Sequence, residues 1–308
     1  MLGEELAYVA LVVRDLDAAS AVFGRHLGFA QTDLDADGDK LPVFSVGQSA
    51  LALFPLGHSY VDGFDKPGVH HIALSSKDLK AGIASATDAR MPSAGEERRS
   101  LAGGKRVALD RNSTASVKTW ITTPMEVRKS KSAYVERIDH LGIASADNRE
   151  GIAAWTDRLG RPLESQQTDM EVSIAVESFT SDKYGVVYHS RDPEPVGGLR
   201  VAFISVGDCE LEFLQNFDPR HSAHVEAAKA GNTRQDQGAI TKFIASRGAG
   251  LHHVAFKTPD INSTLSMLEK AGVPVIDRVG RPGSRRGKIG FVHPSGVGGV
   301  LVHFVQRD

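Results

Sequence analysis

Four side chains in the second half of the sequence have the types and the setting of a metal site. His140 lies in DHLGIA, Glu212 in CELEFLQ, His253 in GLHHVAF and His303 in GGVLVHFVQ, each near the centre of a short segment that is otherwise largely apolar. A polar group without a partner in such a setting is costly, so something must satisfy these four. A divalent ion does so economically, because imidazole and carboxylate suit Zn, Fe, Co, Ni or Mn, and each strand supplies one rigidly placed ligand. A single histidine on a strand is more often a hydrogen-bonded core or surface residue. Four such residues in a repeated pattern reverse that reading. Alternation of faces along a strand refines the set. His140 shares a face with Gly142 and Ala144, small residues that leave room for a bound group. His253 shares a face with Leu251 and Ala255, while His252 points the other way with Val254 and Phe256. Glu210 and Glu212 face together, opposite Leu211 and Phe213, and His303 shares its face with Leu301 and Val305.

Other candidates carry less. Arg281, Arg285, Arg286 and Lys288 crowd a loop containing Gly and Pro. They can bind a substrate carboxylate, phosphate or CoA tail, or form a solvated basic loop. The glycines of SGVGGV lack the strand-then-helix context of a dinucleotide fingerprint and take no phosphate role. His221 and His293 read as loop and turn residues, and Ser246 has no triad context. The single Cys209, between Asp208 and Glu210, reads as a packing residue, because acidic neighbours disfavour a thiolate.

The elements that must position these residues recur along the chain. Residues 6–29 (LAYVALVVRDLDAASAVFGRHLGF) and 138–163 (IDHLGIASADNREGIAAWTDRLGRPL) each offer an apolar strand, a capping Asp, an amphipathic helix with a central aromatic and a Leu-Gly stop. FSVGQSALALFPLG pairs with ISVGDCELEFLQN, and GVHHIALSSKDLKAGIASA with GLHHVAFKTPDINSTLSML. The chain therefore reads as two halves of like pattern, each built from two strand-helix-strands units. The polar stretch 121–137 places a boundary between a first domain, 1–125, and a second, 136–308. The second half carries two insertions, near 165–193 and 218–237, and the latter is a candidate lid.

The chain has 308 residues, 41% hydrophobic and 24% charged, with a formal charge of -2, which is globular composition. No apolar run is long enough for a membrane helix, and no basic stripe invites nucleic acid. The start MLGEELAYVALVV lacks a basic n-region, and a single cysteine agrees with a reducing compartment, so a cytoplasmic location is expected.

The segments DHLGIA, LRVAFISVGDCELEFLQ, AITKFIASRGAGLHHVAF and RPGSRRGKIGFVHPSGVGGVLVHFVQ resemble the vicinal oxygen chelate (glyoxalase/bleomycin resistance/dioxygenase) superfamily, and within it most nearly the methylmalonyl-CoA epimerases. The resemblance covers residues 138–306 apart from the insertions. It implies an α+β fold of tandem βαβββ modules forming two such domains, with metal ligands at His140, Glu212 and His253. The fourth position departs, since His303 stands where the epimerases and glyoxalase I carry a carboxylate. In the first half Tyr8 stands opposite His140, Ala52 opposite Glu212, and Trp120 or a neighbour opposite His303, leaving His71 alone. Residues 1–125 thus read as a degenerate glyoxalase-like domain without a metal site. A silent first half and a metal-bearing second half also resemble 4-hydroxyphenylpyruvate dioxygenase and extradiol dioxygenases, although those take their carboxylate from the last strand.

The implied function is that of a metal-dependent isomerase, epimerase or lyase that stabilises an enolate next to a carbonyl of a small oxo-acid or acyl-CoA substrate. Glu212 or Glu210 is the candidate base. The alternatives are an Fe(II) dioxygenase acting on an aromatic or 2-oxo acid, and a ligand-sequestering resistance protein without catalysis. The expected partner is a small-molecule substrate, with neither nucleic acid nor membrane, and a homodimer is among the assemblies open to the chain.

Overall fold

The computed structural model describes residues 5–173, 176–217 and 239–307. The candidate lid at 218–237, with His221, lies outside the described residues.

In the first half the strands are β1 (Leu6–Val13), β2 (Gln31–Ala36), β3 (Asp39–Val46), β4 (Ser49–Pro55), β5 (Gly68–Ser75), β6 (Ser93–Arg99), β7 (Lys105–Leu109) and β8 (Thr119–Thr122). In the second they are β9 (Arg137–Ala144), β10 (Leu163–Ser173), β11 (Val176–Ser181), β12 (Gly185–Ser190), β13 (Glu194–Val206), β14 (Cys209–Phe217), β15 (Gly250–Lys257), β16 (Arg281–Pro282), β17 (Lys288–Val292) and β18 (Val302–Gln306). The first sheet runs β2-β3-β4-β1-β5-β8-β7-β6 and the second β10-β13-β14-β9-β15-β18-β17-β16. Position for position the orders are the same, so the repeat in the sequence is a repeat in space. Each sheet is curled, and the pair are the tandem βαβββ modules of an α+β fold. The insertion near 165–193 forms an antiparallel ribbon: β10 and β13 run on past the sheet, and β11 and β12 pair with each other alone.

The helices start and stop where local chemistry dictates. Asp15 caps α1 (Leu16–Ser20) by accepting from the Ala18 amide, and Asp147 caps α3 (Asn148–Ile152) by accepting from the Arg149 amide. Each helix continues for six residues with wider π-type turns and ends at a left-handed glycine, Gly28 with φ 75° and Gly160 with φ 72°. The other α-helices among the described residues are α2 (Leu79–Asp88), α4 (Ala239–Arg247) and α5 (Ile261–Lys270).

One face of the second sheet packs on helices. Ile138, Leu141 and Ile143 of β9, Leu211 and Phe213 of β14, and Val302 and Phe304 of β18 join Trp155, Leu265 and Leu268 in a core that also takes in Phe23, Leu51 and Ile72 of the first half. The two halves therefore share one hydrophobic core. Phe256 meets both Phe23 and Phe29 at ring distances of 6.2 and 5.9 Å, and Trp155 Nε1 donates to the Thr114 carbonyl. The opposite face of each sheet is left for other uses.

Strict alternation fails at two places in β15 and β9. The pairing of β15 with β9 slips by one residue between Leu251 and His253, and again opposite Asp139. A one-residue bulge puts two successive side chains to use on one side of a strand. Leu251 consequently joins Val254 and Phe256 in the helix-side core instead of sharing a face with His253. The His252 ring is not turned away with Val254 but lies against His253, the two Nδ1 atoms 2.9 Å apart. The first sheet slips at the corresponding points, and His70 and His71 show the same Nδ1 contact at 2.7 Å.

Candidate metal centre

The sheet brings His140, His253 and His303 together with ligand nitrogens within 4.8 Å of one another. Register explains the convergence. Glu212 of β14 is aligned with Gly142 of β9, His253 of β15 with the same Gly142, and His303 of β18 with Ala255. One carboxylate oxygen of Glu212 lies 3.3 Å from His140 Nε2 and 3.4 Å from His253 Nε2. All four side chains are buried, the histidines 4% exposed and Glu212 6%.

The residues fit a divalent ion. His140 Nε2, His253 Nε2 and His303 Nδ1 are buried nitrogens without a hydrogen-bond partner. Three clustered imidazole nitrogens, two of them beside one carboxylate oxygen, are costly to bury unpaired and form a donor set suited to a borderline cation. Burial, reinforced by neighbouring imidazoles, holds His303 well below the usual histidine value, and burial also lowers His253. Both are thus neutral, as ligands must be. Burial opposes a charge on His140 as well, but the Glu212 and Asp139 carboxylates outweigh it and push this imidazole up to about 9. That proton has to leave before Nε2 can act as a ligand.

Two residues that strand alternation did not single out orient the site. Asp139 is completely buried, and its Oδ1 accepts from His140 Nδ1 at 2.8 Å, which leaves Nε2 as the ligand atom. Arg307, 3.1 Å away, and Arg137, 3.7 Å away, balance the Asp139 charge. His252, held neutral at about 3 mainly by burial, can accept from His253 Nδ1 and so directs His253 Nε2 inward. The signals available in the sequence were an aspartate beside His140 in an apolar strand and a His-His doublet repeated at 70–71 and 252–253. The space beside Gly142 is occupied by a ligand itself, since a Cβ there would lie 2.0 Å from His253 Cε1.

Glu210 faces the same side but is engaged elsewhere. Arg285 grips it with two hydrogen bonds of 2.9 and 2.7 Å, and Arg307 adds a third at 3.1 Å. Burial works against the Glu210 charge, yet these guanidiniums hold its carboxyl below the usual range and make it a weak base. Arg285 lies 3.6 Å over the Phe203 ring, which meets His140 edge-on at 5.9 Å. Arg281 lies 5.3 Å over Phe291, whose ring is 4.6 Å from His303. Each of these two arginines stands one aromatic ring from a histidine of the cluster. Arg286 is exposed and makes no hydrogen bond or ion pair among the described residues. Arg285 and Arg286 both have left-handed φ, 53° and 58°, unusual for side chains of this size.

At the corresponding points of the first sheet stand Tyr8, Ala52, His71 and Trp120: Ala52 and His71 are aligned with Ala10, and Trp120 with Ala73. Tyr60 bonds Tyr8 at 2.8 Å, and the buried Arg106 guanidinium lies 3.4 Å from the Tyr60 ring and 4.2 Å from the Trp120 ring. Aromatic rings and a cation thus fill the space that the ligand cluster occupies in the second half.

Residues 139–291 match the Glyoxalase/Bleomycin resistance protein/Dioxygenase superfamily, so the chain carries a domain of that superfamily in its second half. An uncharacterized protein of Bacillus subtilis (strain 168), YqjC, is 24% identical over 172 residues, 56% of this chain and 93% of that protein. Bovine mitochondrial methylmalonyl-CoA epimerase is 25% identical over 129 residues, 42% of this chain and 65% of its own length. A mutant 4-hydroxymandelate synthase from Streptomyces coelicolor shares the fold over 100% of this chain and 94% of its own, with a TM-score of 0.62 and 14% identity. The superfamily includes metal-dependent enzymes, and no helix among the described residues is long and apolar enough to cross a membrane.

Proposed function

We propose that the second half is a divalent-metal-dependent isomerase or epimerase, or a lyase of the same chemistry, acting beside the carbonyl of a small oxo-acid or acyl-CoA. The observation that carries this reading is His303. Its buried, unpartnered Nδ1 belongs to a cluster with His140 and His253, both of which lie beside Glu212, a set of three histidines and one carboxylate where the facial triad of an Fe(II) oxygenase uses two histidines and one carboxylate. Four ligands leave room for the two vicinal oxygens of a substrate but less for substrate and dioxygen together. The similarity to an epimerase over 129 residues supports the same direction. When bound, a divalent ion supplies Lewis-acid stabilisation of an enolate.

The chain's own residues would do the rest. Asp139 and His252 hold the imidazoles of His140 and His253 in the tautomer that points Nε2 inward. Phe203 and Phe291 wall the site against water, and Arg285, anchored by Glu210, presents a cation beside Phe203 for a substrate carboxylate or thioester oxygen. Glu210 is occupied by two guanidiniums, which leaves Glu212 as the carboxylate at the cluster; burial works against its charge, but His140 and His253 hold its carboxyl well below the usual range, so it takes a proton only as these imidazoles lose theirs.

The test is proton exchange. Protein loaded separately with Zn, Mn, Co or Ni is incubated in D₂O with methylmalonyl-CoA and with small 2-oxo acids, and the α-proton is followed by NMR. Metal-dependent loss of that signal, abolished in Glu212→Gln, is the expected result. Absence of exchange with every metal and substrate sinks the isomerase reading. Oxygen uptake that requires ferrous iron would replace it with a dioxygenase, and failure to retain any metal would favour a ligand-sequestering protein.

A further inference from the structure

A second cavity, of about 350 Å³, opens between the two halves. Its walls come in corresponding pairs. Gly68, Val69 and His70 at the start of β5 face Gly250, Leu251 and His252 at the start of β15, and Lys118, two residues before Trp120, corresponds to Leu301, two before His303. The cavity therefore sits where equivalent strand ends of the two halves come together. None of the four candidate metal ligands lines it.

Its volume is within the range of roughly 300–1,000 Å³ found for small-molecule sites. The lining combines apolar surface with positive charge. Phe64 packs on His70 at a ring distance of 5.1 Å, and Phe243 meets His252 edge-on at 4.7 Å, while Arg111, Lys118 and Arg247 supply the cations. No aspartate or glutamate is among the lining residues. Arg111 and Arg247 each reach across to the other half and donate to a backbone carbonyl, Ala249 and Pro67 respectively. Carbonyls orient a guanidinium without neutralising it, and neither arginine has a carboxylate partner among the described residues. Lys118 is bonded to the Asp62 carboxylate and to His70 Nε2, both at 2.8 Å, but Asp62 is shared with Arg98. Positive charge is thus in excess around an aromatic-walled hollow.

We infer that this cavity is a second binding site, for a small organic anion with an aromatic or acyl body and a carboxylate head. The head meets the guanidiniums and the Lys118 ammonium, which bind carboxylates by charge-assisted hydrogen bonds. The body lies between Phe64 and Phe243. Its occupant touches His252, which is bonded to His253, so binding is coupled to the metal site. This coupling rests on the metal reading, whereas anion binding itself does not. Coupling of this kind is reciprocal, each ligand altering the affinity of the other by the same factor.

The experiment uses the full chain, first metal-free and then Zn-loaded, labelled with ¹⁵N-histidine and titrated with benzoate and with its neutral analogue benzamide. His70 and His252 signals are assigned from His70→Gln and His252→Gln variants, and affinities are measured by calorimetry. Saturable benzoate binding to the metal-free protein, shifting the His70 and His252 signals, with benzamide at least tenfold weaker, is the expected result. Arg247→Gln and Lys118→Gln should each weaken benzoate severalfold while Zn still binds. The inference is overturned by equal affinities for benzoate and benzamide, by unchanged benzoate affinity in both variants, or by benzoate binding only after Zn is loaded. The last outcome would place the anion on the metal and leave the metal reading standing. If benzoate binds the metal-free protein but Zn does not bind at all, the cavity stands and the metal reading falls.

Discussion

At the scale of the residue, the site depends on two residues that hold no substrate. Asp139 fixes the His140 ring through Nδ1, and losing such an orienting carboxylate typically costs about 10- to 100-fold in metal affinity. Asp139→Asn should weaken Zn binding by that order in competition with a chelating dye, with little change in secondary structure; an unchanged affinity would assign Asp139 to the Arg137 and Arg307 pairs alone. Gly142 is the second. A methyl group there would lie 2.0 Å from His253 Cε1, so the clash falls on the imidazole ring of a candidate ligand, which is packed against His252 and buried. Gly142→Ala is therefore expected to abolish retention of metal through dialysis, measured by elemental analysis, and retention of the ion by that variant would show that His253 can move aside. The four candidate ligands were legible in the sequence because apolar strands make a polar residue conspicuous. Their orienting partners were not, because a strand read by alternation sends neighbours to opposite faces.

At the scale of the element, the β-bulges at His70 and His252 decide what the strands present. Each lets a His-His doublet place two rings in contact. His70 is held neutral down to about 3, first by burial and then by the Lys118 charge. In the unfolded chain it protonates near its ordinary 6.5. Between those values the unfolded state binds the extra proton, so stability falls as pH falls from 6.5 toward 3 and is unaffected by this group above 6.5. His70→Gln, which cannot titrate, should flatten the decline of the urea midpoint between pH 6.5 and 4, and an unaltered slope would count against a neutral buried His70. The helices were legible in advance for a local reason: Asp15 and Asp147 are caps, and the Leu-Gly stops end in left-handed glycines. The ribbon of β11 and β12 was not, since its pairing extends long strands beyond the sheet and no repeat in the first half announces it.

At the scale of the whole molecule, the shared core makes the two halves one unit of stability. Trp120 and Trp155 are the only tryptophans and fall one in each half. Trp155→Phe and Trp120→Phe variants each retain a single reporter. In each variant the fluorescence transition in guanidinium should coincide with the loss of far-ultraviolet circular dichroism, as a cooperative two-state transition requires. Separated midpoints would mean that the halves unfold independently. Trp155→Phe also removes the bond to the Thr114 carbonyl between the halves, with an expected loss of about 1 kcal/mol.

The sequence by itself determined the repeat, the order of strands and helices, the four polar residues on one sheet face and the loss of all but His71 from the matching positions of the first half. Those features are local: periodicity, caps and turns act over a few residues, and a repeat is visible by self-comparison. Tertiary structure alone decided that Glu210 is tied to Arg285 and Arg307 and that Arg286 stays at the surface. It also turned Leu251 into the core and brought Arg111, Lys118 and Arg247 around one hollow between the halves. Apart from the exposure of Arg286, each of these depends on a register shift or on contacts between residues 75 or more positions apart, and the free energies that fix them come from packing and charge pairing that no local pattern carries.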